Sequence, residues 1–270
     1  MLGAIIGDIV GSRFEFNNHK SKDFDLFTED CFFTDDTVMT LAVARAILDY
    51  QQGDYNTIES AFVDENKFKE SVIKWMQKLG RHYPCCGYGG KFIEWMYEDN
   101  PQPYNSFGNG SAMRVGSVGF YASSLPETIR LSRLVTEVSH NHYEGIKGAE
   151  ATSVCVFLAN NGNKKDEIKR IVEKYYYKLN FTLDDIRDTY QFNETCQNTV
   201  PQAIEAFLES TDFEDAIRNA ISIGGDSDTI AAITGSIAEA YYGVPNRLQK
   251  KAESYLDERL LNVYNEIGWY

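Results

Sequence analysis

The apolar residues of this chain recur with a helical period along almost its whole length. In residues 35–50, for example, Val38, Leu41 and Leu48 lie on one stripe of a helix, a spacing that buries one face of an α-helix. The same period recurs in seven further segments: 58–79, 127–138, 149–158, 167–177, 213–221, 229–241 and 248–267. No segment sustains the alternation of apolar and polar residues that indicates a half-buried strand. The sequence therefore predicts an all-α fold.

Helix-breaking residues separate the predicted helices, and none of them forms a linker between domains. Breakers occur, for example, at residues 100–103 and 243–245, where glycine and proline interrupt the helical pattern. The sequence contains no repeat of fixed period and no low-complexity tract. We therefore expect one compact multi-helix domain over residues 1–270.

Composition and charge exclude several classes of protein. With 40 acidic and 26 basic residues the net charge is −14, which disfavours binding to the phosphate backbone of nucleic acid. No apolar run approaches the roughly 18 to 20 residues of a transmembrane helix, and the first residues lack the basic segment of a signal peptide. The five cysteines lack CxxC pairs, so we expect reduced thiols, no zinc site and a cytoplasmic protein. We also expect a monomer.

Two similar acidic clusters stand at predicted helix starts. The sequence TDDT at residues 34–37 precedes one apolar helix, and GGDSDT at residues 224–229 precedes another. Either cluster alone is typical of helix capping, since Thr, Ser and Asp are favoured N-caps and acidic groups offset the helix dipole. Capping needs one oxygen per helix, however, whereas four carboxylates are present. Four carboxylates without a matching His or Cys set favour Mg²⁺ or Mn²⁺, and two ions would fit between the helix starts if these meet.

A third element is GDIVGSRFEF at residues 7–16. Its glycines allow close contact between helices, and Asp8 interrupts an otherwise apolar face. Asp8 is typical of a buried capping or paired carboxylate, and Glu15 is typical of a surface residue. Either carboxylate is also a candidate metal ligand or base, although the local sequence by itself favours the capping and surface interpretations.

Two glycine turns and two histidines are candidate ligand contacts. The turns at residues 87–90 and 108–110 expose backbone N–H groups that can hold phosphate ahead of a helix, although ordinary loops have the same composition. His140 and His142 are two residues apart and would face different directions on a helix, which argues against joint ligation of a metal. They are candidates for orienting a phosphate or a hydroxyl, with a helix C-terminal cap as the alternative.

The ordered set of motifs resembles the ADP-ribosylglycohydrolase family. The resemblance runs from GDxxG at Gly7 through TDDT at Thr34, GNGxxMR at Gly108 and HNH at His140 to GGDSDT, which ends at Thr229. Each motif is weak alone, but their order is specific.

The resemblance implies an all-α fold, a binuclear Mg²⁺ or Mn²⁺ centre and cleavage of ADP-ribose from modified groups. Carried over by position, the expected metal ligands are Thr34, Asp35, Asp36, Asp226, Asp228 and Thr229. The candidate catalytic carboxylates are Glu15 and Asp36. The expected substrate-binding residues are Gly89, Asn109, Gly110, Ser111 and His142.

The chain departs from the family pattern at Ser106, where some relatives carry an acidic residue. If that acidic residue is the proton donor in those relatives, the proton donor in this chain is Glu15, Asp36 or water. We expect a metal-dependent hydrolase of ADP-ribosyl-arginine that acts on a modified protein or a small ADP-ribose conjugate. Because no motif recognises the leaving group, serine-linked, nucleic-acid-linked and O-acetyl-ADP-ribose are alternative substrates. A module that binds ADP-ribose without hydrolysis is a further alternative.

Overall fold

The computed structural model describes residues 1–52 and 64–268, and its regular structure is helical. The helices are α1 (Leu2–Gly11), α2 (Asp35–Gln52), α3 (Glu65–Gly80), α4 (Gly90–Tyr97), α5 (Gly116–Tyr121), α6 (Leu125–Glu137), α7 (Tyr143–Asn160), α8 (Lys165–Tyr175), α9 (Leu183–Ile186), α10 (Cys196–Leu208), α11 (Phe213–Ser222), α12 (Ser227–Tyr242), α13 (Asn246–Glu253) and α14 (Glu258–Ile267). Two short 3₁₀ turns occupy Ser12–Phe14 and Asn109–Ser111. An isolated antiparallel bridge joins Gly108 to Thr195 and is the only β-pairing in the described residues. The predicted all-α fold is confirmed.

The observed helices differ from the predicted segments in several places. The predicted helix over 248–267 is divided into α13 and α14, because the Asp257 carboxylate accepts a hydrogen bond from the Leu260 N–H at 2.9 Å and caps a new first turn. The predicted helix over 58–79 begins outside the described residues, and its described part forms α3. The helices without a counterpart among the predicted segments are α1, α4, α5, α9 and α10. The helical period does not reveal α1, because all ten of its residues are buried and it has no polar face.

α1 and α12 pack with their backbones in close approach, and glycine makes this possible. A Cβ atom on Gly7 would lie 2.0 Å from the carbonyl oxygen of Ala231, and one on Gly3 would lie 2.0 Å from the carbonyl oxygen of Gly235. At the end of α1, a Cβ on Gly11 would lie 2.4 Å from the Cα of Asp228. The predicted close helix contact is therefore present. It brings the turn after α1 against the start of α12.

Asp8 joins α1 to the start of α2. Its carboxylate accepts hydrogen bonds from the backbone N–H groups of Thr34 and Thr37, both at 2.9 Å, and from the Thr34 hydroxyl at 2.6 Å. The side chain is fully buried. Of the two interpretations of Asp8, the buried capping carboxylate is the one that the structure bears out. The starts of α2 and α12 and the end of α1 consequently meet at one place.

Buried apolar side chains from α1 through α14 form one cluster beneath this meeting point. The single domain over residues 1–270 stays a prediction. None of the helices in the described residues is long and apolar enough to cross a membrane.

Candidate functional site

Carboxylates from three separate segments meet where the helix starts converge. One carboxylate oxygen each from Glu15, Asp226 and Asp228 lies within 4.8 Å of the others. The two predicted acidic clusters are linked directly, since the Thr229 hydroxyl donates to Asp36 Oδ2 at 3.1 Å. Asp35, at the start of α2, faces the same cleft as these residues. The structure thus brings together side chains that are distant in the sequence, such as Asp36 and Thr229, which lie 193 residues apart.

The acidic side chains of this cluster raise one another's pKa. Burial raises the pKa of Asp36 and Asp228 well above the usual range, and the neighbouring carboxylates raise them further. Burial and the charge of Asp228 raise the pKa of half-buried Glu15 to about 8. Burial likewise raises the pKa of Asp226 to about 6, although a hydrogen bond from Asn109 opposes that shift. Without a counter-charge, the ionised cluster is destabilising.

The donor atoms of the cluster fit a hard divalent cation. Asp36 Oδ1 is buried and has no hydrogen-bond partner in the part of the chain that the structure describes. Within residues 1–52 and 64–268, none of the ion pairs joins a lysine or arginine to a cluster carboxylate. All available ligand atoms are oxygens, the ligand type that Mg²⁺ and Mn²⁺ prefer. Of the expected ligands, Thr34 is the one that does not line the cleft, because its side chain is buried beside Asp8.

A cleft of about 400 Å³ extends from the acidic cluster to the two glycine turns, a size typical of small-molecule sites. Gly89 and Gly110 line it, as expected for contacts to a ligand. Asn109 also lines it, but its side-chain amide donates to Asp226 Oδ2 at 2.6 Å and to the Thr199 hydroxyl at 3.1 Å. The Asn109 side chain therefore orients a candidate metal ligand.

Two of the predicted substrate-binding residues lie outside the cleft lining. Ser111 is fully buried, and its hydroxyl donates to the carbonyl oxygens of Gly108 and Gly145 at 2.9 and 3.0 Å. His142 caps the start of α7, where Nδ1 accepts the Glu144 N–H at 3.1 Å. Ser111 thus supports the glycine turn, and His142 fills a capping role at the start of a helix rather than at its C-terminal end.

His140 is the histidine that faces the cleft. It is buried, and its ring lies 5.6 Å from that of Tyr104. The wall beside it contains Arg114, the last residue of the GNGxxMR motif, which is fully buried. Arg114 belongs to a motif that the sequence analysis identified, but only the tertiary structure indicates that this residue borders the cleft.

Phe192 and Glu194 line the cleft without any sequence signal that predicted them. They lie in the loop before α10, where the Glu194 carbonyl oxygen accepts the Asn109 N–H at 2.8 Å. The exposed ring of Phe192 stacks on the exposed ring of Phe16, with centroids 5.8 Å apart. Phe16 follows Glu15 directly, so this aromatic pair lies beside the acidic end of the cleft.

Comparisons with known proteins agree with this geometry. The family profile described as ADP-ribosylglycohydrolase matches residues 1–266. ADP-ribosylhydrolase ARH3 of Homo sapiens is 25% identical over 337 residues, which cover 97% of this chain and 90% of the relative. ADP-ribosylarginine hydrolase Tri1 of Pseudomonas putida is 27% identical over 289 residues, which cover 96% of this chain and 75% of the relative. A solved structure, an ADP-ribosylglycohydrolase-related protein complex, has the same fold, with a TM-score of 0.63, 21% identity and coverage of 98% and 96% of the two chains.

Proposed function

The chain belongs to the ADP-ribosylglycohydrolase family and is an ADP-ribosyl hydrolase, and we propose that it uses divalent metal ions to remove ADP-ribose from modified arginine. The observation that carries the proposal is the convergence of Glu15, Asp226 and Asp228 at one end of a ligand-sized cleft. Glycine turns line the rest of that cleft and suit a pyrophosphate. The proposed substrate is an ADP-ribosylated protein or a small ADP-ribose conjugate. We also propose a cytoplasmic location, supported by five free cysteines.

The proposed cofactor is a pair of Mg²⁺ ions, with Mn²⁺ as a substitute. The residues that would hold them are Thr34, Asp35, Asp36, Asp226, Asp228 and Thr229. When bound, such ions neutralise the carboxylates, polarise the hydroxyls of the distal ribose and lower the pKa of a water molecule. The partnerless Oδ1 of Asp36 supports this assignment.

Glu15 is the proposed general base. It lies within the carboxylate cluster yet is only half-buried, so it can reach both the cluster and the open cleft. In the proposed reaction the Glu15 carboxylate accepts a proton from water while the water oxygen bonds to the anomeric carbon. The bond from that carbon to the guanidine nitrogen breaks, and the nitrogen keeps the electron pair. The proton then passes to the departing guanidine, so that Glu15 returns to its carboxylate form. Asp36 is the second candidate for this role.

The charge of the cleft supports an arginine linkage. A glycosylated guanidine is a planar cation, whereas serine-linked and O-acetyl conjugates are neutral at the linkage. Glu194 is exposed at the cleft and has no ion-pair partner in the described ranges, and the Phe16–Phe192 pair offers aromatic faces that attract cations. The Pseudomonas relative is named an ADP-ribosylarginine hydrolase, which agrees with this linkage.

Release of free ADP-ribose from a substrate panel tests the proposal. The panel contains ADP-ribosyl-arginine, ADP-ribosyl-serine, ADP-ribosylated nucleic acid and O-acetyl-ADP-ribose, each with Mg²⁺ or with EDTA. We expect Mg²⁺-dependent release that is fastest from the arginine conjugate. Faster release from another conjugate would overturn the linkage, and equal release in EDTA would overturn the metal dependence. Binding of ADP-ribose without any release would identify a non-hydrolytic binding module.

A further inference from the structure

The side chain of Asn18 connects the segment after α1 to the turn before α12. Its nitrogen Nδ2 lies 2.9 Å from each of three carbonyl oxygens, those of Phe14, Glu15 and Gly225, and donates hydrogen bonds to them. Its oxygen Oδ1 accepts the Gly225 N–H at 2.8 Å. The Asn18 amide therefore pairs with both polar groups of the Gly225 backbone while it also holds the backbone of Glu15.

The turn that Asn18 holds is not fixed by its own residues. Gly224 and Gly225 have φ angles of 66° and 82°, and glycine adopts such angles about as readily as negative ones. The conformation of the turn therefore depends on contacts from other segments. Asn18 supplies two hydrogen bonds, and the ring of Tyr190 packs so closely that a Cβ on Gly225 would lie 2.3 Å from it. Since Asp226 follows this turn directly, its position depends on the same contacts.

Lys20 supports the same turn from the residue before it. Its Nζ donates to the carbonyl oxygen of Ile223 at 2.5 Å and to that of Tyr190 at 2.6 Å. Ile223 directly precedes the glycine pair, whereas Asn18 binds the second glycine of the pair. Two side chains of one short segment thus hold the turn at both of its ends.

The hydrogen bonds of Asn18 connect the backbones of two cluster carboxylates. Asn18 binds the carbonyl oxygen of Glu15 itself and the backbone next to Asp226. The carboxylates of these two residues belong to the group whose oxygens lie within 4.8 Å of one another. Asn18 is exposed and does not line the cleft. It can therefore influence a bound substrate only through the two segments that it joins.

We propose that Asn18 is a positioning residue, which holds Glu15 and Asp226 at the separation that the reaction needs. The roles of these two carboxylates as base and metal ligand rest on the proposed function. Asparagine suits this position because its short side chain carries both a donor and an acceptor, whereas aspartate lacks the donor and alanine lacks both. A displacement of about 1 Å in a catalytic group can lower a rate about 100-fold.

Hydrogen exchange of the Gly225 amide tests the contact without metal or substrate. We expect slow exchange by NMR in the wild-type protein in EDTA. In Asn18→Ala the exchange should be about tenfold faster, because the variant lacks the acceptor of this N–H. Asn17→Ala is the matched control, since Asn17 is also exposed and forms no hydrogen bond with the part of the chain that the structure describes. Unchanged exchange in Asn18→Ala would overturn the proposal.

Steady-state kinetics tests the positioning role. Asn18→Ala, and Asn18→Asp, which keeps the acceptor and loses the donor, should lower kcat for ADP-ribosyl-arginine about 10- to 100-fold. KM should change less than about twofold, because Asn18 does not line the cleft. A merely structural role would lower the urea midpoint and leave kcat of the folded protein unchanged. Wild-type kcat in Asn18→Ala, or a change confined to KM, would overturn the proposal.

Mn²⁺ binding separates this proposal from the proposed function. We expect Asn18→Ala to weaken Mn²⁺ binding about tenfold in electron paramagnetic resonance, because the turn that places Asp226 is released. Asn17→Ala should bind Mn²⁺ as the wild type does. If the wild-type protein releases no ADP-ribose from the panel, the hydrolase proposal fails, and Mn²⁺ affinity then decides the role of Asn18. Weaker binding in Asn18→Ala supports that role, and unchanged binding overturns it.

Discussion

The carboxylate of Asp8 accepts hydrogen bonds from both the backbone N–H and the hydroxyl of Thr34, at 2.9 and 2.6 Å. Because the hydroxyl proton points to Asp8 and the Asp36 N–H donates to Thr34 Oγ1 at 3.3 Å, one lone pair of Oγ1 remains available to a cation. Asp8 thus connects α1 to an expected metal ligand at the start of α2. Carboxylates that orient ligands in this way are a common feature of metal sites.

Asp8→Asn should weaken metal binding while the protein stays folded. The side-chain NH₂ group of the asparagine would take the place of Oδ1 and donate a hydrogen bond to Thr34 Oγ1. The Thr34 hydroxyl proton would then point toward the cation site. We expect affinity for Mg²⁺ or Mn²⁺ to fall about 10- to 100-fold, measured by calorimetry or by Mn²⁺ electron paramagnetic resonance. Asp212→Asn alters a capping aspartate of α11 and should leave metal affinity unchanged. Wild-type affinity in Asp8→Asn would contradict the role of Asp8.

Asp228→Asn should reduce activity far more than stability. The substitution removes one carboxylate from the candidate metal site and should therefore cost several kcal/mol of transition-state stabilisation. This loss corresponds to a rate at least about 100-fold lower. The metal-free protein should be at least as stable as wild type, because Asp228 lies buried among like charges. Release of ADP-ribose at limiting Mg²⁺ and urea unfolding in EDTA measure the two effects. Normal turnover would contradict the assignment.

The metal-free protein should lose stability as the pH rises from about 5 to 8. Burial raises the pKa of Asp226 to about 6 and that of Glu15 to about 8, both above the values in the unfolded chain. The folded state therefore binds more protons in this range, and the free energy of unfolding falls as the pH increases. Thermal unfolding in EDTA across this range measures the slope.

Saturating Mg²⁺ is the control for this pH dependence. A bound cation replaces the protons as the counter-charge, so it should flatten the slope. Asp228→Asn, with one buried carboxylate fewer, should give a smaller slope in EDTA. An increase of stability with pH in the metal-free protein would contradict the prediction.

Gly7→Ala should disrupt the packing of α1 on α12. Its Cβ would lie 2.0 Å from the carbonyl oxygen of Ala231, and a backbone atom cannot move aside as a flexible side chain does. We expect a loss of about 3 kcal/mol or more in the free energy of unfolding, measured by urea denaturation. Gly90→Ala is the matched control, because no atom lies within 4 Å of its added Cβ. Equal stability of the two variants would contradict the packing argument.

Glu194→Gln should affect the arginine conjugate selectively. The exposed carboxylate lines the cleft and would pair with a guanidinium, so we expect KM for ADP-ribosyl-arginine to rise about two- to fivefold. O-acetyl-ADP-ribose has a neutral leaving group, and its KM should not change. Steady-state kinetics at low and high salt measure both values, and the difference should shrink with salt. Equal changes for the two substrates would contradict this role.

Local patterns in the sequence predicted much of the fold and part of the site. The helical period identified most helices, because it reflects burial of one face within a few turns. It missed α1, which is buried on all sides, as well as α4, α5, α9 and α10. It also missed the break before α14, where the Asp257 cap divides a continuous pattern. The roles of the metal ligands stay a prediction that came from the resemblance, although the structure does bring the two acidic clusters together.

The sequence by itself determined the helical architecture, the capping groups and the acidic motifs, because each depends on residues within one or two turns of one another. Only the tertiary structure decided that Glu15 meets Asp228 and that His140, not His142, faces the cleft. It also brought Glu194 beside the glycine turn. These relationships depend on how α1 packs against α12 and how the loop before α10 pairs with Gly108. Such contacts join residues far apart in the chain, and no local pattern of side chains records them.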